Sequence, residues 1–82
     1  MSENKMEIHV EPDVAHGVYS NNFVISSSPT EFTLDFIYQN YQQSLLQTRV
    51  ILSPQKAEEL ILLLQQQQQK YRDSLAQINA VN

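Results

Sequence analysis

The chain changes its hydrophobic period once, at Ser53-Pro54, and that change limits the folds open to it. Before it, apolar and polar residues alternate, as they do on a pleated strand. After it, no glycine or proline interrupts Gln55 to Asn82, and most residues there are good helix formers. Ser53 is placed to cap such a helix, because its hydroxyl can accept from unpaired first-turn amides. Pro54 then takes the first helical position, where its missing N–H costs nothing. Glu58 and Glu59 follow near the positive end of the helix dipole. The pattern predicts an α+β domain, an antiparallel meander of three to four strands over 6–52 and one long C-terminal helix over 54–79 packed on it. Residues 1–5 are expected to be a flexible N-terminus.

Four runs carry the strand period. Met6, Ile8 and Val10 alternate with Glu7, His9 and Glu11 until Pro12 and Asp13 break the run. This first strand, 6–11, if it pairs at all, pairs within the subunit or across to another. Val18 to Ser26 places Tyr19, Phe23 and Ile25 on one parity. Glu31 to Tyr38 does the same for Phe32, Leu34, Phe36 and Tyr38. Leu45 to Leu52 does so for Leu46, Thr48, Val50 and Leu52. Ser26 to Thr30 is turn chemistry, and Gln39 to Ser44 reads as a loop. Parity proposes a register. Ile25 opposes Phe32, Phe23 opposes Leu34, and Tyr19 opposes Tyr38. Across the next hairpin Phe32 opposes Leu52, Leu34 Val50, Phe36 Thr48 and Tyr38 Leu46, which sets Asp35 across from Arg49 on the other face.

Composition narrows function mainly by exclusion. The 82 residues allow one small domain, which buries only about 60% of its unfolded surface. Cysteine is absent, so there is no disulfide, zinc thiolate or cysteine nucleophile. Gly17 is the one glycine, which leaves no glycine-rich phosphate loop. A net charge of −4 disfavours nucleic acid or an anionic membrane as partner. The aromatics Tyr19, Phe23, Phe32, Phe36 and Tyr38 lack the basic neighbours of a base-stacking platform and read as core under the helix. The longest apolar run, Leu60 to Leu64, is far short of a bilayer span, and the polar start lacks a signal-peptide core, so a cytoplasmic protein is expected.

Candidate chemistry is sparse. His9, Glu11, Asp13 and His16 have the residue types of a divalent-metal site but no recognised ligand spacing. Two solvated histidines on an edge strand are the plainer reading. No serine sits at a glycine elbow, so no nucleophile is presented, and no catalytic residue, cofactor or metal is assigned. The glutamines 65–69 could form a polar zipper, but the apolar stripe runs through them, and a solvated helix face explains them.

The residues Gly17-Val-Tyr-Ser-Asn21, Val24-Ile-Ser26, Glu31-Phe-Thr-Leu-Asp-Phe36, Arg49-Val-Ile-Leu-Ser-Pro54 with Ala57 and Leu60, and Tyr71 resemble the DUF3467 family. The resemblance spans roughly Ile8 to Ile78. It implies a small soluble bacterial or archaeal protein and supplies no activity. The chain departs from the pattern at Ser27, in a loop from Gln39 to Leu45 without proline or glycine, and at Leu75-Ala76, where a helix stop is missing.

Surplus apolar surface gives the leading functional expectation. Ala57, Ile61, Leu64, Gln68, Tyr71, Leu75 and Ile78 recur at alternating spacings of four and three, one stripe along the helix. At 1.5 Å per residue the helix would reach about 39 Å, against about 23 Å for a seven-residue strand, so it must overhang the sheet. Leu62 and Leu63 fall off the stripe. Val18, Val24, Ile37, Leu45 and Ile51 fall on the sheet's second face. The expected protein is a non-enzymatic homodimeric interaction module, scaffolding or regulatory, with candidate interface residues Leu62, Leu63, Tyr71, Leu75, Ile78, Val24, Ile37 and Ile51. The alternatives are a small-ligand or metal binder using His9, Glu11, Asp13 and His16, and an enzyme whose site is assembled between subunits.

Overall fold

The structure is a computed structural model and describes residues 6–81, with side chains through Ile78. The expected flexibility of residues 1–5 lies outside the described residues. A one-turn helix α1 (Pro12–Ala15) precedes strands β1 (Asn22–Ser27), β2 (Phe32–Gln39) and β3 (Ser44–Leu52), and a long helix α2 (Pro54–Val81) ends the chain. The strands form one antiparallel sheet in the order β1-β2-β3. The α+β arrangement is the one the change of period predicts.

The first expected strand does not pair within its own chain. Residues 6–11 carry the alternation but join no edge of the sheet, because alternation sorts side chains by side without supplying a partner edge. The chain turns instead at α1. Pro12 starts it with φ already set, the Glu11 carbonyl accepts from the Val14 and Ala15 amides at 3.0 Å each, and Gly17 leaves it at φ 75°. That positive φ is the left-handed region a side chain rarely adopts.

The β1–β2 register lies two residues from the expected one. Ser27 opposes Phe32, Ile25 opposes Leu34 and Phe23 opposes Phe36. Turn chemistry decides this. The Ser28 amide donates to the Glu31 carbonyl at 2.8 Å, and the Ser28 hydroxyl accepts from the Thr30 and Glu31 amides at 3.3 and 3.2 Å. The tight loop therefore occupies 28–31, and Ser26 and Ser27 extend the strand. β1 begins at Asn22 rather than Val18. The Ser20 hydroxyl and the Asn21 amide both donate to the Ile37 carbonyl at 3.0 Å. Tyr19 and Tyr38 do meet, edge to face with centroids 6.0 Å apart, although Tyr19 lies outside the strand.

The β2–β3 register follows expectation from Phe32↔Leu52 to Phe36↔Thr48, with Asp35 opposite Arg49. A bulge between Phe36 and Ile37 then sets Ile37 against Leu46 and Tyr38 against Leu45, not Leu46. Gln47 is the residue left over, and its amide donates to the Tyr19 carbonyl at 3.1 Å. The bulge moves Leu45 to Tyr38's side of the sheet and Leu46 to Ile37's.

The β3–α2 joint is as predicted. Ser53 Oγ accepts from the Lys56 amide at 3.2 Å, the Ser53 carbonyl accepts from Ala57 at 3.0 Å, and Pro54 is the first helical residue. The helix continues unbroken through Gln65–Gln69, as their high helix propensity allows. Its main contact with the sheet is against β3.

Candidate interaction surface

Ala57 is the one buried residue among those described, and even it keeps 6% of its surface exposed. The helix leaves the sheet too early to cover it. A groove of about 160 Å³ remains between them, lined by Ile25, Phe32 and Leu34 from the sheet and Leu60, Ile61 and Leu64 from the helix, with Leu52 and Ala57 from either side of the β3–α2 joint. Beyond the groove, two of the aromatics that were expected to lie under the helix, Tyr19 and Phe23, stand open. Phe23 packs edge to face on Phe36 at 5.7 Å, yet it stays 57% exposed, and Tyr19 stays 69% exposed. The central strand β2 is half-buried, through its flanking strands.

The opposite face of the sheet carries Val24, Ile37, Leu46 and Ile51, in register around an ion pair. Arg49 grips Asp35 with two bonds, Nε to Oδ1 at 2.7 Å and Nη2 to Oδ2 at 2.9 Å. The bond from Arg49, aided by its charge, holds the Asp35 carboxyl below the usual carboxylate range against the opposing effect of desolvation. The Asp35 side chain is largely covered, while that of Arg49 reaches solvent.

The expected interface residues all lie on accessible surface, in separate places. Val24 and Ile51 are exposed and Ile37 is half-buried on the sheet's outer face. Tyr71, Leu75 and Ile78 are exposed on the overhanging part of α2. Leu62 and Leu63 are exposed on the helix's first half, off the line of that stripe. Sequence reasoning missed Leu46, because no glycine or proline marks the bulge. It also missed the openness of Phe23, Val50, Ile61 and Leu64, because periodicity reports which side a residue takes and not whether anything covers that side.

The candidate metal ligands are not gathered into a site. His9 Nε2 lies 2.8 Å from Glu11 Oε2, Asp13 is in α1 and His16 follows it. Among the described residues no three metal-ligating side chains come together. Among them too, no helix is long and apolar enough to cross a membrane.

Two whole-molecule measures put a scale on the openness. The radius of gyration is 16.9 Å, where a compact chain of this length has about 12 Å. The accessible surface is 7514 Å², where a folded monomer of this mass exposes about 5,000 Å². The excess is apolar in large part, since all four described leucines and isoleucines of 61–64 stand more than half exposed.

No curated protein and no solved structure matches the chain. A family model described as "Protein of unknown function (DUF3467)" matches residues 1–80. The Gly-Val-Tyr-Ser-Asn run at Gly17, the Glu31–Phe36 strand and the Ser53-Pro54 joint thus fall within one matched span. The chain belongs to the DUF3467 family.

Proposed function

We propose that this protein is a homo-oligomeric interaction module, scaffolding or regulatory and not catalytic. The observation that carries the reading is the surplus of apolar surface on an otherwise regular fold, with Ala57 alone buried among the described residues. Each Leu or Ile side chain taken out of water contributes about 1.5–3 kcal/mol. A handful of them matches the whole stability of a small domain, about 5–15 kcal/mol. The surface beyond that of a compact monomer, about 2,500 Å² by the mass scaling, is of the order an obligate dimer buries. Sedimentation at micromolar concentration tests the proposal. The expected result is a mass above that of one chain, lowered by Leu75→Glu. A single-chain mass for the unaltered protein overturns it.

A further inference from the structure

The stripe on α2 has a property that a monomer has no use for. From Ile61 it runs Leu64, Gln68, Tyr71, Leu75, Ile78, at spacings of three, four, three, four and three. These spacings read the same from either end. So do the residue types, Ile-Leu-Gln and Tyr-Leu-Ile, except at the central pair. Alternating threes and fours make the heptad seam along which helices pair. A seam that is its own reverse fits a second copy running in the opposite direction. We infer that α2 pairs antiparallel with α2 of a second copy about a two-fold axis passing between Gln68 and Tyr71. The inference rests on the homo-oligomeric reading above and gives that assembly its geometry.

In this arrangement Ile61 meets the partner's Ile78, Leu64 meets the partner's Leu75, and Gln68 meets the partner's Tyr71. The one polar layer joins an amide to a phenol, and each can donate to the other. A polar layer of this kind sets the register of a helix pair. Running the helices the same way would bring Gln68 against its own copy and leave the internal symmetry of the stripe without effect.

The sheet supplies an independent observation. Ile61 and Leu64 form part of the helix wall of the open groove, and more than half of each remains exposed. An antiparallel pair carries the partner's Leu75 and Ile78 to that position. A cavity of about 150 Å³ lined by aliphatic and aromatic side chains holds a benzene-sized group. A groove of about 160 Å³ with the same kind of lining therefore admits the ends of such side chains. The overhang of each helix then covers the uncovered end of the other copy's sheet. Helices running the same way would leave both grooves open and both overhangs beyond either sheet. The area agrees, since about 2,500 Å² of excess per chain lies within reach of an interface of 2,000–5,000 Å² in total.

The absence of cysteine makes the test clean. Ile61→Cys and Ile78→Cys are prepared separately, mixed after unfolding and refolding together, and oxidised mildly. The expected result is a covalent pair from the mixture and none from either variant alone. Alone, each variant's two thiols lie 17 positions apart on the reversed helix, about 25 Å at 1.5 Å per residue. Spin labels on Ile78→Cys read that separation directly. Rapid self-linking of Ile78→Cys, or labels only about 10 Å apart as in helices running the same way, overturns the antiparallel pair and leaves the homo-oligomer standing. A single-chain sedimentation mass for the unaltered protein overturns both.

Discussion

Asp35 and Arg49 lie in the middle of an apolar face, and the pair makes a pH prediction. A carboxyl whose folded pKa lies below its unfolded value, about 3.9 for an aspartate, stabilises the fold at every pH above that value. The contribution is lost as pH falls through the folded pKa. The Arg49 bond depresses the Asp35 pKa, so Asp35→Asn lowers the melting temperature at pH 7, and the gap to the unaltered protein closes as pH drops below 4. Thermal melts between pH 2 and 7 check this, and a gap independent of pH would refute it. Ser53 makes a different contribution, since its hydroxyl meets the Lys56 amide at the start of α2. Ser53→Ala costs about 1 kcal/mol by loss of that cap, a fall of roughly 4–8 °C in a domain of this size. Gly17 at φ 75° is a third sensitive position. Nothing crowds the place a Cβ would take, so the cost of Gly17→Ala is conformational, about 1–2 kcal/mol, and circular-dichroism melts measure it. His9 and Glu11 bring two ligands together where zinc takes at least three from protein. Calorimetric titration with zinc is expected to show no micromolar binding, and binding abolished by His9→Ala with His16→Ala would promote the metal reading instead.

At the scale of elements, the legible parts were those that one local rule decides. Ser53-Pro54 starts a helix by capping chemistry alone, and β2, β3 and α2 lie where their periods place them. The β2–β3 register was readable because Asp35 and Arg49 mark it from the far face. The β1–β2 register was not, because a slip of two residues keeps every side chain on its own face. What separates the two alternatives is the serine chosen to close the turn, and Ser28 does so through bonds that a run of three serines does not advertise. The bulge was hidden for a related reason. Gln47 carries no mark of special backbone, and its role emerges only when the Tyr19 carbonyl arrives from elsewhere in the chain. Deleting Gln47 removes the extra residue and should leave Ile37 opposite Leu46 and Tyr38 opposite Leu45 in an unbroken ladder. Cross-strand nuclear Overhauser contacts report the pairing, and a move of Tyr38 to another partner would show that the bulge does not rest on Gln47. Residues 6–11 mark the opposite limit, a strand pattern with no strand partner in its own chain, since pairing belongs to two segments and the sequence of one cannot supply it.

For the whole molecule, the extended shape and the thin interior give the proposed assembly a test by concentration. If burial is completed by another copy, the melting temperature must rise with protein concentration, since association binds the folded state and not the unfolded one. Melts spanning a hundredfold range of concentration check this, and a constant midpoint would place stability within the single chain. The candidate interface was only partly legible at this scale. Tyr71, Leu75 and Ile78 were named from the stripe. The openness of Ile61 and Leu64 was hidden, because the stripe places them toward their own sheet without showing that the sheet reaches them.

The joint between β3 and α2 has a mechanical consequence. Ser53 alone separates the last residue of the strand from the first of the helix. Pro54 holds its φ within a narrow range, and the Ser53 hydroxyl ties the first turn down. The helix is thus an arm of about 42 Å at 1.5 Å per residue, clamped at one end to a sheet. A rotation of 10° at the clamp sweeps its tip through about 7 Å, more than the rise of a full helical turn. The distant end can therefore be aimed by very small changes at the root, and a ligand or substitution that disturbs Leu52, Ser53 or Ala57 acts as a rudder on surfaces it never touches.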